Sequence, residues 1–408
     1  MSRQVNHLIS EPERTPWGQV FLLVGAGVLA AFQLGKVSPV LPVIRIELGM
    51  SLFLAGWLLS SFSVTGLLFG SITGAVADTF GHRRFIMYGL FCQAAASFAG
   101  SLSSASGFLL MTRVVEGFGF LMIVVAVPAL IFQVTRIHDL RLSLSVWSCY
   151  VPAGVAGIML LSPLLTDRFG WRGLWQINSL VLAVYAFGLA KATDGLTVKQ
   201  VRKVLRWKQI LRDILLTSSS RGPLILSGIF GSYALQWITV MGFLPTLFIE
   251  DHVLSQARAS VLTAVMVAMN IPGNLLGGWL LHRGFRRWRL MAVASLIIGL
   301  CSLVIYSPHL PFVICFMACL LFSFIGGLVP ASLLSRAPVH APSPDLVAST
   351  NGLLIQGSQF GQVLGPPALG LIVATTGGWQ AAPWLLGGAA ATGIVLSGLL
   401  AKIERRTQ

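Results

Sequence analysis

The sequence predicts an all-α membrane protein, with twelve transmembrane helices in two pseudo-symmetric six-helix bundles. Three observations predict it. The 408-residue chain is 55% hydrophobic and only 10% charged, where a soluble domain carries roughly 25% charge. Apolar runs of about 20 residues, the length that crosses a ~30 Å hydrocarbon core, recur along the whole chain. The second half repeats the first at a constant offset of 203 positions.

The apolar runs place spans 1 to 12 at 17–43, 51–77, 84–105, 107–134, 143–166, 173–190, 223–249, 257–281, 288–307, 310–334, 346–375 and 380–401. With both termini on one face, 22 Lys and Arg residues fall on that face and four (Arg45, Arg168, Arg172, Arg258) on the other. Basic loops stay cytoplasmic, so both termini are expected inside a bacterial cytoplasmic membrane. The net charge of +15 is scattered over these loops with no stacking aromatics beside it, which argues against nucleic acid as a partner. Residues 1–16 are polar and the run after them is too long for a signal-peptide core, so no cleaved leader is read here. Five cysteines (Cys92, Cys149, Cys301, Cys315, Cys319) all lie in apolar runs and read as small packing residues.

One long connection separates the halves. The expected division is an N-terminal bundle over 1–190, a basic linker over 191–222 and a C-terminal bundle over 223–408. Within the linker, Lys199 to Leu216 can form a basic helix on an anionic leaflet or a solvated spacer. At the 203-residue offset Gln33 falls on Gln236, Leu41-Pro42 on Leu244-Pro245, Gly154 on Gly357 and Pro163 on Pro366. Gly74, Gly81, Arg83 and Arg84 fall on Gly277, Gly284, Arg286 and Arg287, while Leu281 stands opposite Asp78.

The hairpin between spans 2 and 3 reads GAVADTFGHRR, from Gly74 to Arg84. It resembles the loop 2–3 signature of the major facilitator superfamily, G-x-x-x-D-[RK]-x-G-[RK]-[RK]. Gly74, Asp78, Gly81 and Arg83 match in register; His82 and Thr79 stand where bases are usual. RVVEGFGF (Arg113 to Phe120) is similar to that family's R-x-x-x-G pattern in span 4, and FGWRGLWQIN (Phe169 to Asn178) to its W-R-x-x-F segment before span 6. In span 5, GIMLLSP departs from the glycine-proline pattern of many antiporters. Gln33, Lys36 and the SPVLP stretch look like a bacterial branch that includes cyanate and nitroimidazole permeases. The resemblance implies a secondary transporter, working as a monomer by alternating access around a cleft between the halves. It also implies a conformational latch at Gly74, Asp78, Gly81, Arg83 and Arg84, with Asp78 facing the start of span 11. Ser343-Pro344 supplies a helix-start signal there, and Asp345 beside it opposes the contact.

An ionisable side chain at membrane depth is costly, so each one is a candidate for function. Lys36 and Gln33 share a face of span 1; Arg113 enters span 4 with Glu116 one turn deeper. Two cations facing the cleft would favour an anionic solute, Arg113 as a bidentate fork and Lys36 as a point charge. The alternatives are snorkelling of Lys36 to headgroups and an Arg113–Glu116 ion pair at i,i+3. Glu116, the one acid well inside a span, is the candidate carrier if transport is proton-coupled. In the second half the substrate-binding candidates are uncharged: Gln236, Trp237, Asn270, Asn351, Gln356 and Gln359. Helix–helix hydrogen bonding is the other use for such amides.

Catalysis would need a clustered constellation, and the chain has no HExxH, no GxSxG and no phosphate-cradling GxxxxGK[ST]. All seven histidines lie in loops or at span ends. The expectation is a transporter that is not an enzyme and uses no metal or cofactor. Its partners would be lipid, a small organic solute and protons. An exporter of drugs, siderophores or metabolites by proton antiport is the alternative, and a non-transporting membrane sensor the alternative of another class.

Overall fold

The computed structural model describes residues 15–194, 207–334, 341–343 and 346–407, and every regular element among them is helical. Span 1 runs Trp17–Gly35 and continues through a 3-10 turn, Ser38–Val40, into Leu41–Glu47. Pro39 and Pro42 sit at the starts of these last two segments, because proline lacks an N–H and is tolerated only where no helical partner is needed. Span 2 is Leu52–Ser60, a 3-10 turn Ser61–Ser63 and Val64–Phe80; the Ser51 hydroxyl caps it by accepting from Leu54 N. Gly81, at φ 88°, makes the sharp return into span 3, His82–Ser101.

Span 4 is Ser106–Val134, and a short helix, Leu140–Ser148, leads into Tyr150–Ala192. That long run is two spans, broken at Gly170 with φ 64°. Span 7 is Arg221–Glu250, and span 8 is Gln256–Ala268 followed by Asn270–His282. Span 9 is Arg287–Ile305, and span 10 is Phe312–Gly326 followed by Leu328–Leu334. Span 11 is Val347–Thr376, and span 12 opens at Trp379–Ala381 and runs Ala382–Thr407. Nine described stretches are long and apolar enough to cross a membrane, Tyr150–Ala192 counting as one of them. Its two halves, with the more polar spans 3 and 11, complete the expected twelve.

The halves meet along small and hydroxyl residues, which let backbones approach where hydrocarbon offers no other partner. Ser38 Oγ of span 1 donates towards Met241 O and Gly242 O of span 7, at 2.8 and 2.9 Å. Between spans 5 and 8, Ser162 and Ser260 hydroxyls lie 3.0 Å apart, and Ser260 Oγ donates to Met159 O at 2.6 Å. Spans 2 and 11 are joined over most of their length. Ser60 Oγ donates to Gln362 O (2.8 Å), Ser71 Oγ to Gln356 Oε1 (2.7 Å), and Gln356 Nε2 to Leu67 O (3.0 Å). Gln356 therefore serves as an interhelical joint.

The hairpin stretch differs in part from its expected use. Among the described residues a Cβ on Gly74 would meet Val125 Cγ1 alone, at 3.9 Å, an ordinary contact. Arg83 is tied to the end of span 6, donating to Thr193 Oγ1 (2.9 Å), to Ala190 O and to Asp194 (3.0 Å). Arg84 is exposed. Asp78 pairs with His82 at 3.3 Å; Pro344 and Asp345, at its expected partner, lie outside the described residues, as do Lys199 to Arg206 of the basic linker.

Candidate functional site

Lys36, Arg113 and Glu116 meet in the middle of the first half, each with no exposed surface. Lys36 ends span 1, where Phe32 O still accepts its backbone N–H. Its ammonium donates to Gln33 Oε1, to Ser97 Oγ at 2.8 Å and to Glu116 Oε1 at 2.7 Å. Ser97 Oγ passes its own proton to Trp175 O at 2.8 Å. Three N–H donors therefore face three acceptors, which is the full complement of a charged lysine. The Trp175 ring lies against it, 4.4 Å from Nζ to centroid, a cation–π contact of the desolvated kind.

Glu116 is shared: its other oxygen accepts from Arg113 Nη1, which also donates to Gln33 O at 2.6 Å. The Arg113 guanidinium stacks on Phe62, 4.7 Å from the ring centroid. Phe62 is brought there by Gly117, where a Cβ would fall 1.8 Å from Phe62 O; any side chain at 117 would hold spans 2 and 4 apart. Spans 1, 2, 3, 4 and 6 thus close around one carboxylate and two cations. With all three ionised the cluster carries one net positive charge. Arg113 Nη2 and Gln33 Nε2 are buried without a partner, so donors remain for a second arrangement.

This geometry corrects the two-cation anion site expected in the cleft. Lys36 and Arg113 are fully buried inside one bundle and turned onto Glu116. The Arg113–Glu116 pair at i,i+3 is the alternative that the sequence already carried. Sequence reasoning misses Ser97, Trp175 and Phe62, and nothing local marks Ser97 or Phe62 among their apolar neighbours.

Of the candidates in the second half, Asn270 joins Gln356 in linking helices. Asn270 Nδ2 donates to Tyr233 OH (3.1 Å) and Ser323 O (3.0 Å), linking spans 7, 8 and 10. Gln236 is buried and its Nε2 donates to Ser232 O one turn back; Trp237 is buried beside it. Asn351 is half-buried near the start of span 11. Gln359 differs, lining a small crevice of about 20 Å³ with Phe62, Phe120, Leu121, Val124 and Ile355, between spans 2, 4 and 11.

At the end opposite the Gly81 hairpin, the repeat has diverged. In the first half Glu47 accepts from Trp171 Nε1 (2.6 Å) with one oxygen and from Arg172 with the other. Glu250, 203 positions on, accepts from Trp379 Nε1 at 3.0 Å. The residue after this tryptophan is Gln380, not arginine. The free oxygen of Glu250 turns to Arg45 of the other half, at 3.1 Å. The pair borders an open cavity of about 440 Å³. Burial pushes the neighbouring Asp251 carboxyl up, with His252 opposing and Glu250 adding to the shift.

The profile of the Major Facilitator Superfamily matches residues 23–354. The chain belongs to that family. Its described helices are those of a multi-pass membrane protein. The Hexuronate transporter of Bacillus subtilis is 22% identical over 397 residues, 91% of each chain. The Lincomycin resistance protein of Streptomyces lincolnensis is 28% identical over 173 residues, 41% of this chain and 36% of that protein. A Quinolone resistance protein of Staphylococcus aureus is 26% identical over 208 residues, 49% and 54% of the two chains. The chain thus spans about a third to a half of the drug-resistance relatives' length. Among solved structures, a bacterial homolog of the human lysosomal transporter Spinster, inward-facing and unoccupied, superposes with a TM-score of 0.73 at 15% identity, covering 96% and 95% of the chains. At that identity the likeness speaks for the fold alone.

Proposed function

We propose that this transporter moves a small organic solute by alternating access, coupled to protons through the Lys36–Glu116–Arg113 cluster. The observation that carries the reading is the cluster's charge balance. Releasing a proton from Lys36 leaves Glu116 and Arg113 as a neutral pair. Protonating Glu116 instead would leave two buried cations with no counter-charge, a far costlier state. Arg113 does not deprotonate. Lys36 therefore takes the role that the sequence suggested for Glu116. When the bundle rearranges and Lys36 loses an acceptor, its charged form loses stabilisation and its proton passes to water reaching the cluster.

Several relatives carry drug-resistance names, which agrees with export by antiport. The Gly81 end is taken as cytoplasmic from its bases, with both termini inside a bacterial inner membrane and the protein acting as a monomer. Asp78 keeps its proposed place as a latch at that end.

A thermal-shift screen of the purified protein against antibiotics and sugar acids supplies the ligand. Lys36→Met should then retain ligand exchange across vesicles with equal pH on both sides. It should lose at least about tenfold of the accumulation driven by a pH gradient, the factor that one missing coupling step of about 1.4 kcal/mol represents. Undiminished uphill transport by this variant would remove the coupling role.

At the opposite end, Arg45–Glu250 is proposed as the releasable clasp of the closed state, and Glu47–Arg172 as its fixed twin. Glu250→Gln keeps an acceptor for Trp379 and drops the charge. The half-exposed pair is worth a few-fold in population, so this variant should raise labelling of a cysteine at Ser51 in the cavity about two- to five-fold. The charge swap Arg45→Glu with Glu250→Arg should bring labelling back; a swap that labels like Glu250→Gln would count against the clasp.

A further inference from the structure

The helix Trp207–Ser218 precedes span 7 at the Gly81 end and packs on the ends of spans 2, 7 and 11. Ile210, Asp213, Ile214 and Thr217 face the protein, and Thr217 is fully buried. At 3.6 residues per turn, the next sector around the helix is Trp207, Leu211 and Leu215. These three are 53%, 55% and 67% exposed. The sector after that holds Lys208 and Arg212, also exposed. The helix thus has a packed face, a bare apolar stripe and a basic rim, in that order.

A spacer standing in water would leave that stripe solvated, forgoing about 1.5–3 kcal/mol for each large apolar side chain. A helix lying in the plane of a leaflet gains that burial, with Trp207 at headgroup level and the bases among the phosphates. Leu224, near the start of span 7, is also 47% exposed. Both charged residues on the outward side are cations, so the complementary surface is anionic.

We infer that Trp207–Ser218 is an interfacial anchor: its Trp207–Leu211–Leu215 stripe sits in the leaflet at the Gly81 end, and Lys208 and Arg212 bind anionic lipid headgroups. The inference does not depend on the solute or on proton coupling. It chooses between the two uses the linker's sequence left open.

The test uses the full-length protein with its five native cysteines replaced, reconstituted in vesicles of phosphatidylcholine with or without phosphatidylglycerol. A nitroxide is placed at Leu211→Cys or, on the outward polar side, at Gln209→Cys. With phosphatidylglycerol present, the Leu211 label should collide with oxygen and be shielded from a water-soluble nickel chelate, and the Gln209 label should show the reverse. Lys208→Gln with Arg212→Gln should raise nickel access at Leu211 about tenfold, as expected for the loss of two headgroup-facing bases. Equal nickel access at both labels would overturn the anchor. Shielding that is identical in neutral vesicles would overturn the anionic-lipid assignment, and spin–spin broadening at Leu211 would replace lipid by a second copy of the chain.

Discussion

Glu116→Gln is expected to lower the midpoint of thermal unfolding by about 5–15 °C, from the 3–5 kcal/mol that breaking a buried ion pair costs. The carboxylate pairs with both cations, and none of the three groups has exposed surface. An amide there can still accept hydrogen bonds, so the loss is one of charge. Lys36→Met added to Glu116→Gln returns the cluster to one net positive charge and should recover part of the loss. The double variant would then be more stable than the sum of the two single effects predicts. Fluorescence-monitored unfolding in detergent measures all four proteins. A midpoint within about 2 °C of wild type for Glu116→Gln, well below the effect set by the pair energy, would mean that the three charges are not mutually dependent.

Gly117→Ala carries the second large effect, and its sign opposes local propensity. Alanine is the better helix former by about 1 kcal/mol, so a glycine-to-alanine change in a roomy stretch of helix stabilises. At 117 the added carbon would fall 1.8 Å from Phe62 O, and spans 2 and 4 must separate. Overpacking of this kind costs about 1–3 kcal/mol or more, and it moves Phe62 off Arg113. A methyl group added at Gly107, near the start of the same span, would meet nothing within 4 Å. Gly107→Ala is thus the matched control. The expected result is a lower unfolding midpoint for Gly117→Ala and an unchanged or higher one for Gly107→Ala. Equal midpoints would show that the close approach is not maintained in the protein in solution.

The ion cluster shows where reading by residue reaches and where it stops. Arg113 and Glu116 are three apart on one helix, so their meeting follows from helical periodicity. Lys36 and Glu116 are 80 positions apart, and Ser97 is 61 from Lys36. No local rule pairs them. The direction in which they point is the larger gap. A span that is apolar all round has no amphipathic stripe to say which face turns inward. The rotation of span 1 about its own axis is set by contacts such as Gly35 against Val155 and Ile158, and that of span 4 by Gly117 against Phe62. Those contacts turn both cations into the bundle, away from the cleft.

The divergence at Glu250 lies between these cases. The 203-residue offset places Glu250 on Glu47, and the change from Arg172 to Gln380 after the paired tryptophans can be read in the chain. That the freed oxygen reaches Arg45 of the other half requires the two bundles side by side.

Composition and periodicity alone determined the class, the twelve spans and the repeat, because hydrocarbon thickness and backbone satisfaction leave a membrane chain few alternatives. Tertiary packing alone decided that the buried charges pair with one another within one bundle. In a low-dielectric interior, ions separated by a long stretch of chain seek each other before they seek a solute, and only the rotation and contact of whole helices determine which of them can meet.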